Sequence, residues 1–289
     1  MDMLTPDRRL TLPSGSGSSE LDGDVLFIGT ATTLIRFGGF TVITDPNFLH
    51  RGEHARLGMG LRSERLTEPA MQISDLPPID FVVLSHHHGD HFDDRAAREL
   101  RKSVPIITTQ QAGEKLDEQG FGATISLETW EYVTVERGDA TLRVTAMPAK
   151  HAPEAVSPLI PAVIGTMLDF ERDGRHLLRL YITGDTLMHD ELHEIPRRYP
   201  DIDLALIHLG GTQILGVLLT MDAEQGIEAL EIVRPRTAIP IHFDDYTVFR
   251  SPLEDFQTLV EQRDLATDVH YLNRGESYPL RATAEIHQR

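Results

Sequence analysis

Leu84-Ser85-His86-His87-His88-Gly89-Asp90-His91 is the stretch from which the rest of the sequence can be read. It follows Phe81-Val82-Val83-Leu84, an apolar run with the length and residue types of a buried strand. Asp93, Asp94 and the helix-favouring Arg95-Ala96-Ala97-Arg98-Glu99-Leu100 come after it. The cluster therefore stands on a turn between a strand end and a helix start. In extended backbone, residues two apart point the same way, so His86 and His88 form a pair while His87 faces away. Gly89 lets the chain turn sharply, and Asp90 and His91 swing back as a second pair. Imidazoles and a carboxylate set side by side suit one or two borderline ions such as zinc.

Working outward, other acids and histidines end runs that read as strands. Thr32 to Phe37 and Thr41-Val42-Ile43-Thr44 flank a Gly38-Gly39 hairpin turn, and Asp45-Pro46 closes the second strand. A hairpin around Gly138-Asp139 leads to Lys150-His151, and another, closed by Glu171-Arg172-Asp173-Gly174, leads to Gly184-Asp185. Ile202-Asp203-Leu204-Ala205-Leu206-Ile207 precedes His208, and Thr237-Ala238-Ile239-Pro240-Ile241 precedes His242. Asp222-Ala223-Glu224-Gln225 starts a helix through Ile232, a helix near residues 253–261 follows, and Val269-His270-Tyr271-Leu272 reads as the last strand.

His86-x-His88-x-Asp90-His91 resembles the signature of the metallo-β-lactamase fold, and Asp45, His151, Asp185 and His242 follow the family's order. The resemblance covers most of the chain and implies an α/β four-layer αβ/βα sandwich. It implies that His86, His88 and His151 hold one ion, that Asp90, His91 and His242 hold a second, and that Asp185 bridges both. Asp45 would orient a metal-binding histidine instead of binding metal. The ions implied are two divalent metals, zinc first, with manganese or iron also found in such sites. Two ions sharing a water bring its pKa from about 15.7 towards about 7, giving a bridging hydroxide, and Asp90 would orient it and carry a proton. The reaction implied is metal-assisted hydrolysis. Ile28-Gly29-Thr30-Ala31-Thr32, Thr44-Asp45-Pro46 and Ile239-Pro240-Ile241-His242 most resemble the branch of ascorbate-phosphate lactonases and N-acyl-phosphatidylethanolamine phospholipase D. That branch implies ester, lactone or phosphodiester cleavage in a small molecule. Some of its members have His where Thr30 stands.

The chain has 289 residues, 40% of them hydrophobic, enough for a sizeable core. We expect residues 1–20, with the tract Ser14-Gly15-Ser16-Gly17-Ser18-Ser19, to be a flexible tail, and 21–289 to form a single metallo-hydrolase domain. No run approaches the roughly 20 apolar residues of a membrane span, and the first residues lack a signal-peptide core. Cysteine is absent, which excludes disulfides and thiolate ligands and fits a cytoplasmic protein. The net charge of −18 argues against nucleic acid as partner, and so against a nuclease or RNA-processing enzyme of the same fold. A di-iron oxygen-handling protein and a non-catalytic metal-binding protein are the other classes. A homo-oligomer is left open. Residues 47–72 read as a long irregular loop whose Arg56 and Arg62 are candidates for holding an anionic group, with His208 as a pocket-wall candidate. Residues 212–219 read as an apolar loop beside the pocket.

Overall fold

Alternation along the strands builds the architecture. In Arg175–Ile182, Leu178, Leu180 and Ile182 point into a core shared with Val25, Phe27, Ile35 and Phe37 of a second sheet. Tyr181, between them, points the other way, towards Ile195, Ile227 and Leu230 of covering helices. The second sheet repeats the pattern: Val83 and Phe81 face inward, while Val82 packs outward with Ala96, Ala112 and Leu116. The computed structural model describes residues 8–13, 22–58 and 60–283, and over them the layers run helix, sheet, sheet, helix.

One sheet has eight strands, in the order Arg8–Thr11, Tyr132–Arg137, Ala140–Met147, Gly165–Arg172, Arg175–Ile182, Leu204–His208, Thr237–Ile241 and Asp268–Val269. The other has seven, in the order Ser277–Arg281, Asp22–Gly29, Thr32–Phe37, Phe40–Thr44, Phe81–Val83, Ile106–Thr108 and Thr124–Ser126. Helices Asp94–Glu99 and Gln110–Glu118 cover the second sheet; Glu194–Arg198, Ala223–Val233 and Leu253–Gln262 cover the first.

Strand direction gathers the site. Phe40–Thr44 and Phe81–Val83 are parallel, as are Arg175–Ile182, Leu204–His208 and Thr237–Ile241. Ala140–Met147 is two antiparallel steps from Arg175–Ile182 and so runs the same way. The carboxyl ends of these strands therefore share an edge.

Several expectations need correction. Arg8–Thr11, inside the stretch read as a tail, is a strand paired in parallel with Tyr132–Arg137, and Leu12 just beyond it is buried. Its period-two signal, Leu10 and Leu12, spans too few residues to stand out. The Gly/Ser tract lies outside the described residues. Residues 47–72 are not wholly irregular, because His54–Arg56 and Arg62–Glu64 form a small hairpin. Residues 212–219 contain another, Gln213–Ile214 against Val217–Leu218. The last strand among the described residues is Ser277–Arg281, which contains Pro279 and lies at a sheet edge, where a missing N–H is tolerated. Among the described residues no helix is long and apolar enough to cross a membrane.

Candidate metal centre

The turn after Phe81–Val83 is fixed from outside. Asn47 donates from Nδ2 to the Gly89 carbonyl (2.9 Å), and Gly89 N–H donates to the Arg56 carbonyl (2.9 Å). A Cβ on Gly89 would stand 2.5 Å from Arg56 N, so glycine is needed here for close backbone approach more than for the turn itself. Asp93 caps helix Asp94–Glu99 by accepting from Arg95 N and Ala96 N (2.8 and 2.7 Å). Its other oxygen accepts from Leu49 N (2.7 Å) and Phe48 N, tying the loop after Asp45 to the turn.

Within this frame His86 Nε2 lies 3.0 Å from His88 Nδ1, and His151 Nε2 lies 3.3 Å from the same His88 atom. On the other side His91 Nε2 stands 3.1 Å from His242 Nε2. Asp185 reaches both halves: Oδ2 is 3.3 Å from His91 Nε2, and Oδ1 is 3.5 Å from His242 Nε2. Asp90 Oδ2 is 3.8 Å from His242 Nε2. His86, His88 and His151 form one group able to hold an ion, and Asp90, His91 and His242 another; His86, His91 and Asp185 form a third, overlapping group. Donors about 2.1 Å from a tetrahedral ion stand roughly 3.4 Å apart, so these spacings fit zinc-type coordination. Asp90 Oδ1 and Asp185 Oδ1 are buried without a hydrogen-bond partner, a costly state that a cation would relieve.

Backbone carbonyls select the ring nitrogens. His151 Nδ1 is 3.0 Å from the Leu219 carbonyl and His242 Nδ1 is 3.1 Å from that of Leu209. Each Nδ1–H donates to a carbonyl, which turns Nε2 towards the centre. Thr220 donates to Asp185 Oδ2 (2.9 Å). His242 (φ 61°) and Asp45 (φ 36°) have left-handed backbones, an uncommon state for non-glycine residues that concentrates at functional sites.

Burial and the neighbouring histidines push His88 down to about 3, so it is neutral at pH 7, with a lone pair to give. Burial alone would raise the Asp90 carboxyl. His242 beside it and the charges of His91 and His88 outweigh burial and hold it at about 2. Burial likewise opposes charge on His91, but Asp185 and Asp45 prevail and raise its pKa.

Asp45 Oδ1 accepts from Ser85 N–H (2.7 Å), and Oδ2 lies 3.3 Å from His91 Nδ1. The same oxygen is 3.5 Å from His208 Nε2, while His208 Nδ1 is 3.2 Å from Thr183 Oγ1. His208 is fully buried behind Asp45, so it is no pocket wall. Arg62 is exposed on its hairpin and does not line the cleft beside the turn. Arg56 does line it, 3.3 Å from Asp94. His87 is half-buried against Phe92, away from the donors. Thr30 is buried and gives its carbonyl to His242 N–H (2.7 Å).

Sequence reasoning missed a buried polar clamp. Arg65 and the Tyr246 hydroxyl (2.9 Å) both donate to Asn47 Oδ1. Asp245 accepts from Thr30 N–H (2.8 Å) and Arg274 (2.9 Å). The sequence signal is Asp244-Asp245-Tyr246, one residue beyond His242.

A family model described as a beta-lactamase superfamily domain matches residues 42–243. The chain is 27% identical over 239 residues to a UPF0173 metal-dependent hydrolase of Anaeromyxobacter dehalogenans, covering 81% of each. It is 26% identical over 269 residues to N-acyl-phosphatidylethanolamine-hydrolyzing phospholipase D 1 of Caenorhabditis elegans, covering 85% of this chain and 72% of that one. An isothiocyanate hydrolase from Delia radicum gut bacteria has the same fold, with a TM-score of 0.74 at 18% identity, over 90% of this chain and 100% of that one.

Proposed function

The chain belongs to the beta-lactamase superfamily, and from that premise we propose that it is a metal-dependent hydrolase with a two-ion centre, cleaving an ester, lactone or phosphodiester bond in a small molecule. One observation carries the reading. Six imidazole and carboxylate donors and a doubly facing Asp185 converge, buried, with two carboxylate oxygens left without partners. The likeness to a metal-dependent hydrolase and to a phospholipase supports the hydrolytic part.

In this reading His86, His88 and His151 hold one ion, Asp90, His91 and His242 hold the other, and Asp185 serves both. The donor set is nitrogen and oxygen only, which suits zinc and also admits manganese or iron. Bound ions would supply Lewis acidity and a water acidic enough to ionise near neutral pH. The chain's own residues do the positioning. Asp45 and the carbonyls of Leu209 and Leu219 set the imidazole orientations. Asp90 Oδ1, buried and without a hydrogen-bond partner, is the atom that would orient the attacking water and carry a proton. The net charge of −18 favours a small-molecule substrate over nucleic acid.

The test is a panel of lactones, carboxylic esters and phosphodiesters offered to the zinc-loaded chain, with Asp90→Asn as control. We expect turnover of at least one class, and a loss of about 100-fold or more in kcat in the variant. No turnover of any class, or equal rates in the variant, contradicts the proposal.

A further inference from the structure

We propose that the cleft beside His88 recognises a substrate carrying a carboxylate on an otherwise apolar body, with Lys115 as the cation that reads it. This rests on the hydrolase reading and deepens it.

Access comes first. Of the seven donors only His88 lines this cleft, whose volume is about 380 Å³. That is enough for a small molecule. His88 and His151 keep 7% and 5% of their surface exposed, while His86, His91 and His242 have none. A substrate therefore approaches from the His88 side.

The walls differ in chemistry. Leu49, Leu57 and Phe92 form an apolar side, and Leu159, 64% exposed, overhangs it. Helix Gln110–Glu118 supplies Gln111 and Lys115 from the other side, and Gln119 caps it. The apolar side matches an acyl or alkyl body, and the amides and the ammonium match a polar end.

The cleft's charges then single out Lys115. Arg56 is already 3.3 Å from Asp94. Asp93 is buried and takes backbone N–H groups of Phe48, Leu49, Arg95 and Ala96. Lys115 is half-buried and, among the described residues, forms no ion pair or side-chain hydrogen bond. The chain has 45 acidic and only 27 basic residues, so a lining lysine without an acidic partner is notable. A cation on the cleft wall without a partner attracts an anion that enters the cleft, and the partly buried wall weakens the screening between them. One unmatched cation balances one negative charge, which favours a carboxylate over a dianionic phosphate.

The test compares p-nitrophenyl butyrate with mono-p-nitrophenyl glutarate, which differs by a terminal carboxylate, on the zinc-loaded full chain. The readout is the ratio of their kcat/KM values within one preparation, so any loss of folded protein cancels. We expect the native chain to prefer the anionic ester by about tenfold, through KM, as expected for one charge pair. Lys115→Glu should bring the ratio to one or below, and Lys115→Arg should keep it. A native ratio near one, or a ratio unchanged in Lys115→Glu, overturns the inference. If neither ester is cleaved, the ester reading fails and binding decides the inference. Calorimetry should then show tighter binding of the anionic ester, lost in Lys115→Glu. Equal affinity in both proteins, or no binding by the native chain, overturns it.

Discussion

The two halves of the candidate centre are made in opposite ways. His86, His88, Asp90 and His91 come from one short turn, whereas His151, Asp185 and His242 arrive singly, each just beyond a separate strand. The turn has no regular ladder to fix it, so it relies on contacts from elsewhere: Asn47 on Gly89, Asp93 on Phe48 and Leu49, and Arg65 and Tyr246 on Asn47. The lone donors inherit their positions from sheet register, and the side chain of each has one backing contact, from Leu219, Thr220 or Leu209. A local motif is therefore easy to find but costly to hold, and dispersed donors are hard to find but cheap to hold.

That contrast can be broken at its strongest point with Asp185→Asn. Asp185 faces both His91 (3.3 Å) and His242 (3.5 Å), and an amide cannot supply the same charge to two ions. We expect the fold to survive, because the strand register sets the position, while kcat/KM falls by about 1000-fold and one ion is lost. Elemental analysis with circular dichroism checks this. Full metal content with unchanged activity would show that the lone donors do not join the two groups.

A smaller effect sharpens the turn's side of the comparison. Glu53 binds Arg95 (2.9 and 3.0 Å), on the helix after the turn, and accepts from His50 N–H (2.6 Å). The Arg95 guanidinium holds the Glu53 carboxyl down to about 2, against 4.5 ordinarily. A depressed carboxyl contributes stability above its unfolded pKa and loses it as pH falls through the folded one. The native chain should therefore melt slightly above Glu53→Gln at pH 7, and the gap should close between about pH 4.5 and about 2. The pair is partly exposed, so the gap should be small. A gap independent of pH would mean that packing, not charge, holds this contact.

The same contrast explains what was legible in the sequence. Residue type and strand-end position pointed to side chains that the fold brings together, and Gly38-Gly39 and Asp173-Gly174 have the positive φ angles their hairpins need. Three of the four edge strands among the described residues were not legible: Arg8–Thr11 and Thr124–Ser126 are short, and Pro279 disguises Ser277–Arg281. Arg65 stands in the same 47–72 stretch as Arg56 and Arg62, with no local signal to set it apart, yet it is fully buried. Its burial depends on Asn47 and Tyr246, which are separated by 199 positions in sequence, and no local pattern encodes that meeting. His208 ends its strand as His242 follows its own, but only the packing shows that it faces Asp45. Lys115 lies on a helix with Glu114, Asp117 and Glu118 close by in sequence, where periodicity cannot tell a cleft-lining lysine from a solvated one.

The central claim is that these distant side chains form one cage for two ions. The most direct measurement is metal stoichiometry by elemental analysis after zinc loading, on the native chain and on His88→Ala. We predict two zinc ions per native chain, and loss of the ion shared by His86, His88 and His151, together with turnover, in the variant. Metal content and turnover unchanged by His88→Ala, or a native chain that takes up no ion, would contradict it.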